Sequence, residues 1–120
     1  MKIKVLTVDD SSFMRNIIKN ALEKEEFKVV AEASSGEEAV ELYEDVEPDI
    51  VTMDLTMPGI GGLKALKRLK EIDPDASVII CSAMSQEPLV IEAMRSGAKE
   101  FIVKPFSEDR IIRAARNILK

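Results

Sequence analysis

The stretch Asp49–Pro58 reads DIVTMDLTMP and predicts how the rest of the chain is folded. It is a short apolar run that carries one carboxylate, Asp54, at its end and then breaks at a proline. An ionised carboxylate at the end of a buried strand is costly unless a cation meets it. The sequence therefore predicts that other segments bring compensating groups to Asp54.

Three other apolar runs also end in polar side chains. These groups are the acids Asp9 and Asp10, the hydroxyl of Ser82 and the ammonium group of Lys104. The carboxyl ends of parallel strands meet at one edge of a sheet, so these groups form one site if the strands are parallel neighbours.

The hydrophobic pattern predicts five strands that alternate with five helices. The predicted strands are Ile3–Val8, Lys28–Ala33, Ile50–Asp54, Ser77–Ser82 and Lys99–Lys104. The predicted helices are Ser12–Glu25, one capped by Ser35, one carrying Leu63, Leu66 and Leu69, Gln86–Ser96, and one capped by Ser107. Central strands that are apolar without alternation are typical of a parallel sheet covered on both faces. We predict a flavodoxin-like α/β fold, a (βα)5 doubly wound parallel sheet of five strands in the order 2-1-3-4-5.

Length and composition limit the possible functions. The chain has 120 residues, which predicts a single domain over residues 1–120 with no output domain. A formal net charge of −5 disfavours binding to nucleic acid, and the absence of histidine excludes serine-triad and zinc–histidine chemistry. No apolar run approaches the ~20 residues that span a bilayer. The single cysteine, Cys81, fits a reducing compartment, so we expect a cytoplasmic protein that does not contact a membrane.

Three carboxylates in one crevice repel each other. At ~5 Å and an effective dielectric of ~20, each pair costs roughly 3 kcal/mol. A bound Mg²⁺ would relieve this repulsion, because it prefers hard oxygen ligands. With Lys104 and Ser82 nearby, such a site is suited to hold a phosphoryl group, and Asp54 is the candidate nucleophile for an aspartyl phosphate.

Each of these residues has a simpler interpretation when it is taken alone. An Asp-Asp pair commonly marks a turn or the start of a helix, a lysine before a proline is commonly a surface residue, and a serine at a strand end is commonly a satisfied hydroxyl. The combination at four strand ends favours a site. Cys81 is expected to be a small buried hydrophobe, and Gly61 and Gly62 are expected to serve loop geometry.

The chain resembles the receiver domain of two-component response regulators over its whole length. The motifs that carry the resemblance are Asp9-Asp10, Met53–Pro58 with Gly62, Ser82-Ala83, Ser96–Ala98 and Lys104–Phe106. Among receivers it is most similar to the stand-alone chemotaxis regulators of the CheY group, on the segments Cys81–Met84 and Gly97–Phe106.

The resemblance implies a role for each residue of the metal site. Asp54 accepts a phosphoryl group from a phosphohistidine of a sensor histidine kinase similar to CheA. Asp10 and Asp54 ligate Mg²⁺, the backbone carbonyl of Thr56 completes the protein ligands, and Asp9 orders the water shell of the metal.

The resemblance also implies how the protein signals. Ser82 and Lys104 bind oxygens of the phosphoryl group, and Lys104 precedes a cis proline. Movement of Ser82 then lets the aromatic Phe101 rotate inward. The expected output surface comprises the fourth helix, the fifth strand and the fifth helix, with Val90, Lys99, Phe101 and Arg110.

The expected partner of this surface is a flagellar switch protein similar to FliM, and the expected state is a monomer. The protein is then not an enzyme but a phosphoacceptor switch that catalyses only its own phosphorylation and dephosphorylation. Thr56 and Met84 stand where some relatives carry acids or amides that orient the hydrolytic water. Neither residue can act as an acid, so we predict slow self-dephosphorylation and a use for a separate phosphatase.

Three other functions remain open at this point. A phosphorelay carrier would share the chemistry but pass the group to another histidine protein. An aspartyl-nucleophile phosphatase would need a second acid in the place of Thr56. A flavin-binding module would need glycines and hydroxyl donors where Asp9 and Asp10 stand.

Overall fold

The computed structural model describes residues 2–119, so Met1 and Lys120 of the predicted domain lie outside the described residues. Within residues 2–119 there are five strands and five α-helices. The strands are β1 Ile3–Val8, β2 Phe27–Ala33, β3 Ile50–Asp54, β4 Val78–Ala83 and β5 Glu100–Lys104. The helices are α1 Ser12–Glu23, α2 Gly36–Val46, α3 Gly61–Ile72, α4 Glu87–Arg95 and α5 Glu108–Asn117. A short 3₁₀ turn, Met84–Gln86, precedes α4.

The strands form one parallel sheet in the order β2-β1-β3-β4-β5. This confirms the predicted flavodoxin-like fold and strand order. In the register of the sheet, Val8 lies opposite Met53, and Asp54 lies opposite Cys81. The carboxyl ends of β1, β3 and β4 therefore lie side by side.

A layer of helices covers each face of the sheet. Helices α1 and α5 pack on one face, where Ile18 and Ile111 are fully buried. Helices α2, α3 and α4 pack on the other face, where Leu66 and Ala93 are fully buried. Every residue of β3 is buried, as the unbroken apolar pattern predicted.

Serine side chains define where three of the helices begin. The Oγ atoms of Ser11, Ser35 and Ser107 each accept a hydrogen bond from a backbone N–H in the first turn of the helix that follows. The carboxylate of Glu38 accepts from the N–H of Ser34 at 2.7 Å, one residue before the position that a capping box predicts.

Pro88 and Gly97 have unusual backbone preferences that suit the start and the end of helix α4. Pro88 lies in the first turn of α4, the part of a helix that tolerates a missing N–H. Gly97 follows the helix with a φ of 109°, a conformation that favours glycine. Among the described residues, no helix has the length and apolar character that crossing a bilayer requires.

Candidate functional site

The acids that follow β1 and end β3 come together at the carboxyl edge of the sheet. One carboxylate oxygen from each of Asp9, Asp10 and Asp54 lies within 4.8 Å of the other two. Asp9 and Asp54 are buried, whereas Asp10 is exposed. The cluster of three acids therefore has a buried side, formed by Asp9 and Asp54, and a solvent-exposed side at Asp10.

Lys104, the last residue of β5, supplies the positive charge that the sequence predicted. Its Nζ lies 2.8 Å from Oδ2 of Asp9 and 3.4 Å from Oδ1 of Asp54. The peptide bond between Lys104 and Pro105 is cis, as predicted. The ammonium group therefore contacts both buried acids and lies closer to Asp9 than to Asp54.

Hydrogen-bond donors surround the two buried carboxylates on their other sides. The N–H of Ser11 donates to Oδ1 of Asp9 at 2.9 Å. The N–H and the Oγ1 hydroxyl of Thr56 both lie 3.4 Å from Oδ1 of Asp54, as donors to it. These contacts bring Thr56 to the site.

The electrostatic environment raises the pKa of both Asp54 and Lys104. Burial, together with the charge of Asp9, raises the pKa of Asp54 above its usual value, although Lys104 and Thr56 oppose the change. Burial lowers the pKa of Lys104, but its hydrogen bond to Asp9 and the charges of Asp54 and Asp9 outweigh burial, so the pKa is raised overall. The lysine is therefore charged at neutral pH, and ionisation of Asp54 is less favourable in the metal-free site than in water.

Ser82 is buried near the end of β4, and its hydroxyl makes a local contact. Its Oγ donates to the carbonyl oxygen of Ala83 at 3.2 Å. The hydroxyl is not hydrogen-bonded to the carboxylates in this structure, within the part of the chain described. The Ser82 hydroxyl is therefore a hydrogen-bond donor at the carboxyl edge of the sheet, and its hydrogen bond to Ala83 is long and weak.

The first turn of α3 approaches the backbone of the site closely at Gly62. A Cβ at Gly62 would lie 2.7 Å from Cα of Leu55 and 2.8 Å from the carbonyl carbon of Asp54. The N–H of Gly62 also donates to the carbonyl oxygen of Leu55 at 3.2 Å. Gly62 thus lets the start of α3 pack directly against the peptide that follows the buried acid.

The donor set of this pocket fits Mg²⁺. All three candidate ligands are carboxylates, which are hard oxygen donors, and an exposed position such as that of Asp10 leaves room for the waters that Mg²⁺ retains. The three oxygens lie within 4.8 Å of one another, a spread close to the roughly 4.2 Å between opposite ligands of an octahedral magnesium ion.

One residue at this edge was not predicted from the sequence. Arg15, in α1, donates from Nη1 to the carbonyl oxygen of Asp9 at 2.6 Å and from Nε to Oε1 of Glu32 at 3.0 Å. Its spacing from Ser11 places it one turn into the helix, but its partner Glu32 lies on β2. The sheet order must be known before these three positions can be connected.

The candidate switch residue Phe101 lies apart from the acids. It is 39% exposed, on the side of β5 that faces α4, and lines an apolar cavity of about 430 Å³. The lining residues are Ala83, Met84, Glu87, Val90, Ile91, Met94, Phe101 and Val103. Arg110 donates from Nη2 to the carbonyl oxygen of Phe101 at 3.0 Å.

The other residues predicted for the output surface differ in accessibility. Lys99 donates to Oγ of Ser77 at 3.0 Å at the opposite end of β5 from the acids. Val90 is largely buried between α4 and the sheet and contributes to the cavity wall. Met84, which was considered above for its effect on dephosphorylation, is 81% exposed at the end of the sheet where the acids lie.

Comparisons with known proteins agree with this geometry. Residues 5–116 match the response regulator receiver domain. The chain is 50% identical over 117 residues to the chemotaxis protein CheY of Thermotoga maritima, over 98% of each chain. It is 52% identical over 119 residues to the chemotaxis protein CheY of Bacillus subtilis, over 99% of each chain. It is also similar to a chain in the crystal structure of the CheX–CheY–BeF3–Mg²⁺ complex from Borrelia burgdorferi, with a TM-score of 0.93 and 37% identity over 98% of this chain and 90% of that chain.

Proposed function

This chain belongs to the response regulator receiver domain family, and we propose that it is a chemotaxis signalling switch in which Asp54 accepts a phosphoryl group from a sensor histidine kinase similar to CheA. One observation carries the proposal. The carboxylate of Asp54 ends a buried strand, lies within 4.8 Å of two further acids and is 3.4 Å from an ammonium group. The chain and its relatives named chemotaxis protein CheY match over almost their whole length, which supports a role in chemotaxis signalling.

The chemistry is a transfer from nitrogen to oxygen. An oxygen of Asp54 attacks the phosphorus of a phosphoimidazole, the P–N bond breaks as the O–P bond forms, and the leaving imidazole takes up a proton. Asp10, Asp54 and the carbonyl of Thr56 would hold a magnesium ion, with Asp9 ordering its waters, and the ion would supply positive charge for the phosphoryl oxygens. Asp54 is presented by β3 with one oxygen already held by Thr56, so the carboxylate is oriented before the donor arrives.

Lys104 and Ser82 are the proposed partners of the transferred group. The ammonium of Lys104 already contacts Asp54, so it can pair with an oxygen of the phosphoryl group on that residue. Ser82 can exchange its 3.2 Å bond to the carbonyl of Ala83 for a shorter, charge-assisted bond to a second oxygen. These bonds exist only in the phosphorylated state, so they bias the conformational equilibrium of β4 and β5.

The first experiment measures phosphorylation directly. The protein is treated with acetyl phosphate and Mg²⁺, and the intact mass is measured by mass spectrometry. We expect one added phosphoryl group on the wild type and on Asp45→Asn, a matched change of an exposed acid, and none on Asp54→Asn. No added mass on the wild type, or the same mass on Asp54→Asn, would show that the proposal is wrong.

The proposed output surface is the cavity between α4 and β5 together with α5. Inward rotation of Phe101, when Ser82 moves toward the phosphoryl group, would reshape this cavity and create a binding surface for a flagellar switch protein similar to FliM. The predominantly apolar lining of the cavity supports binding of a partner through hydrophobic contact.

A pull-down with and without beryllofluoride, which mimics the phosphoryl group, tests this output. We expect a flagellar switch protein to be recovered only with the mimic, and Phe101→Ala to reduce recovery. Phe13→Ala, which changes an aromatic residue that is 71% exposed on α1, serves as the control. Recovery of a histidine-containing transfer protein instead would identify a phosphorelay carrier.

The lifetime of the phosphoryl group is proposed to be long in the absence of a partner. Hydrolysis needs a water that attacks phosphorus as the O–P bond to Asp54 breaks, and neither Thr56 nor Met84 can orient it as an acid or amide would. We expect Met84→Glu to shorten the lifetime measured by loss of the phosphoryl mass. An equal or longer lifetime for that variant would contradict the assignment. The CheX–CheY–BeF3–Mg²⁺ complex of Borrelia burgdorferi supports a partner that binds the activated form, such as a separate phosphatase.

A further inference from the structure

A half-buried arginine, Arg15, lies beside the pair of acids that follows β1. The side chain of Arg15 is only 17% exposed, and its guanidinium runs back from α1 across the start of the helix. It contacts the carbonyl oxygen of Asp9 at 2.6 Å and the carboxylate of Glu32, on the edge strand β2, at 3.0 Å. One planar group therefore joins α1, the loop after β1 and β2.

The carbonyl that Arg15 contacts belongs to the peptide between Asp9 and Asp10. The other face of Asp9 is already fixed, because its N–H donates to the carbonyl oxygen of Ala33 at 3.0 Å. The carboxylate of Asp10, by contrast, has no hydrogen bond or ion pair to the rest of residues 2–119. The orientation of the Asp10 side chain is therefore set by the peptide between Asp9 and Asp10, whose carbonyl oxygen accepts from Arg15.

Electrostatics alone does not explain an arginine at this place. A positive charge close to three acids would compete with a divalent cation for them. The ion pair between Arg15 and Glu32 reduces that competition, and the guanidinium group still donates to the carbonyl oxygen of Asp9. The benefit to a metal site must then come from geometry rather than charge. Groups that orient metal ligands without contacting the metal commonly change affinity by about 10- to 100-fold when they are removed.

We infer that Arg15, held by Glu32, is a positioning residue that fixes the peptide between Asp9 and Asp10 so that Asp10 faces the magnesium site. This inference rests on the proposed function, because it assumes that the acids bind Mg²⁺. It assigns to the edge strand β2 a part in metal binding, although β2 carries none of the candidate ligands.

The test is titration of the metal-free protein with Mg²⁺ by isothermal calorimetry, well below the melting temperature. We expect Arg15→Met to weaken binding by about ten-fold, and Glu32→Gln to weaken it by a smaller factor, because the arginine remains but loses its charged anchor. Arg15→Lys should also weaken binding, because one ammonium group cannot replace the two separate contacts. The matched control is Arg113→Met, which removes an exposed arginine of α5 that pairs with Asp109 at 2.8 Å and should leave the affinity unchanged.

The sign of the change distinguishes positioning from the alternatives. A purely electrostatic role predicts tighter binding in Arg15→Met, and a purely structural role predicts a lower melting temperature with unchanged affinity. Either result would overturn the inference, as would full affinity in Arg15→Lys. If Arg15→Met does not fold, unchanged or tighter binding by Glu32→Gln has the same meaning. Failure of the wild type itself to bind Mg²⁺ would overturn the proposed metal site and the inference together.

Discussion

Replacing Asp54 by asparagine should stabilise the metal-free protein. The substitution keeps the shape of the side chain and an oxygen that accepts from Thr56, but it removes a buried negative charge. Lys104 keeps its 2.8 Å contact with Asp9. The change therefore isolates the free energy of holding an ionised carboxylate in this pocket.

The magnitude follows from the distances. Asp9 and Asp10 lie within 4.8 Å of Asp54, and at that separation each repels it by about 3.5 kcal/mol at an effective dielectric of ~20, or about 7 kcal/mol together. Lys104, at 3.4 Å, attracts it by about 5 kcal/mol. Asp10 is exposed and screened, so attraction and repulsion nearly cancel and the desolvation of Asp54 stays uncompensated. We expect Asp54→Asn to raise the free energy of unfolding by about 1–3 kcal/mol.

The assay is urea unfolding followed by far-UV circular dichroism in the presence of EDTA, with Asp45→Asn as the control for an exposed acid. The folded pKa of Asp54 is raised above the ordinary 3.8, so the wild type loses stability as pH rises through and above that value. The advantage of the variant should therefore be present at pH 7 and shrink below pH 3.8. In excess Mg²⁺ the difference should narrow or reverse, because the wild type binds the ion more tightly. A variant less stable than the wild type in EDTA at pH 7 would refute the reasoning.

Three further changes test the surrounding structure by the same unfolding assay or by NMR. Gly62→Ala should lower the free energy of unfolding by about 2–3 kcal/mol, because its Cβ would overlap the carbonyl oxygen of Asp54 and lie 2.7 Å from Cα of Leu55; a loss below about 1 kcal/mol would show that the backbone relaxes to admit the methyl group. The hydroxyls of Thr7 and Thr52, paired across β1 and β3, are buried without a hydrogen-bond partner among the described residues, so Thr52→Val should be neutral or stabilise by up to about 1 kcal/mol; a larger loss would reveal a partner. The hydrogen bond from Arg116 lowers the pKa of Glu26 to about 2, so this pair should contribute stability above pH 4.5 that is lost as pH falls toward 2; an NMR titration of Glu26 near 4.5 in the wild type would contradict this, and Arg116→Gln should restore that value.

The sequence predicts most of this fold because the apolar runs that mark the central strands also end in the polar residues of the site. β1 and β3 begin and end where predicted, since each apolar run stops at a polar group that lies at the carboxyl edge of the sheet. The predicted strand order places β3 beside β4 and so brings Asp54 near the end of β4, but the register that sets Asp54 opposite Cys81 is seen only in the structure.

Other details depend on side-chain geometry that no pattern carries. The preference of Lys104 for Asp9 at 2.8 Å over Asp54 at 3.4 Å is decided by rotamers and desolvation, not by spacing. Arg15 was missed because Glu32 lies 17 residues away on an edge strand, so their contact exists only after β2 has paired with β1. Helix α4 begins at Glu87 rather than Gln86 because the segment before it forms a 3₁₀ turn.

Strand β5 connects two parts of the molecule that have been described separately. Its tip carries the ammonium group at the acids, while Phe101 and Val103 project from its outer side into the wall of the cavity. A hydrogen-bonded strand of five residues is stiff along its length. We therefore expect a shift of Lys104 at the end of β5 to move Phe101 and Val103 in the cavity wall. The opposite wall is α4, which is joined to β4 through the short turn Met84–Gln86. We expect the helix, rather than the strand, to yield when the charge at the tip changes.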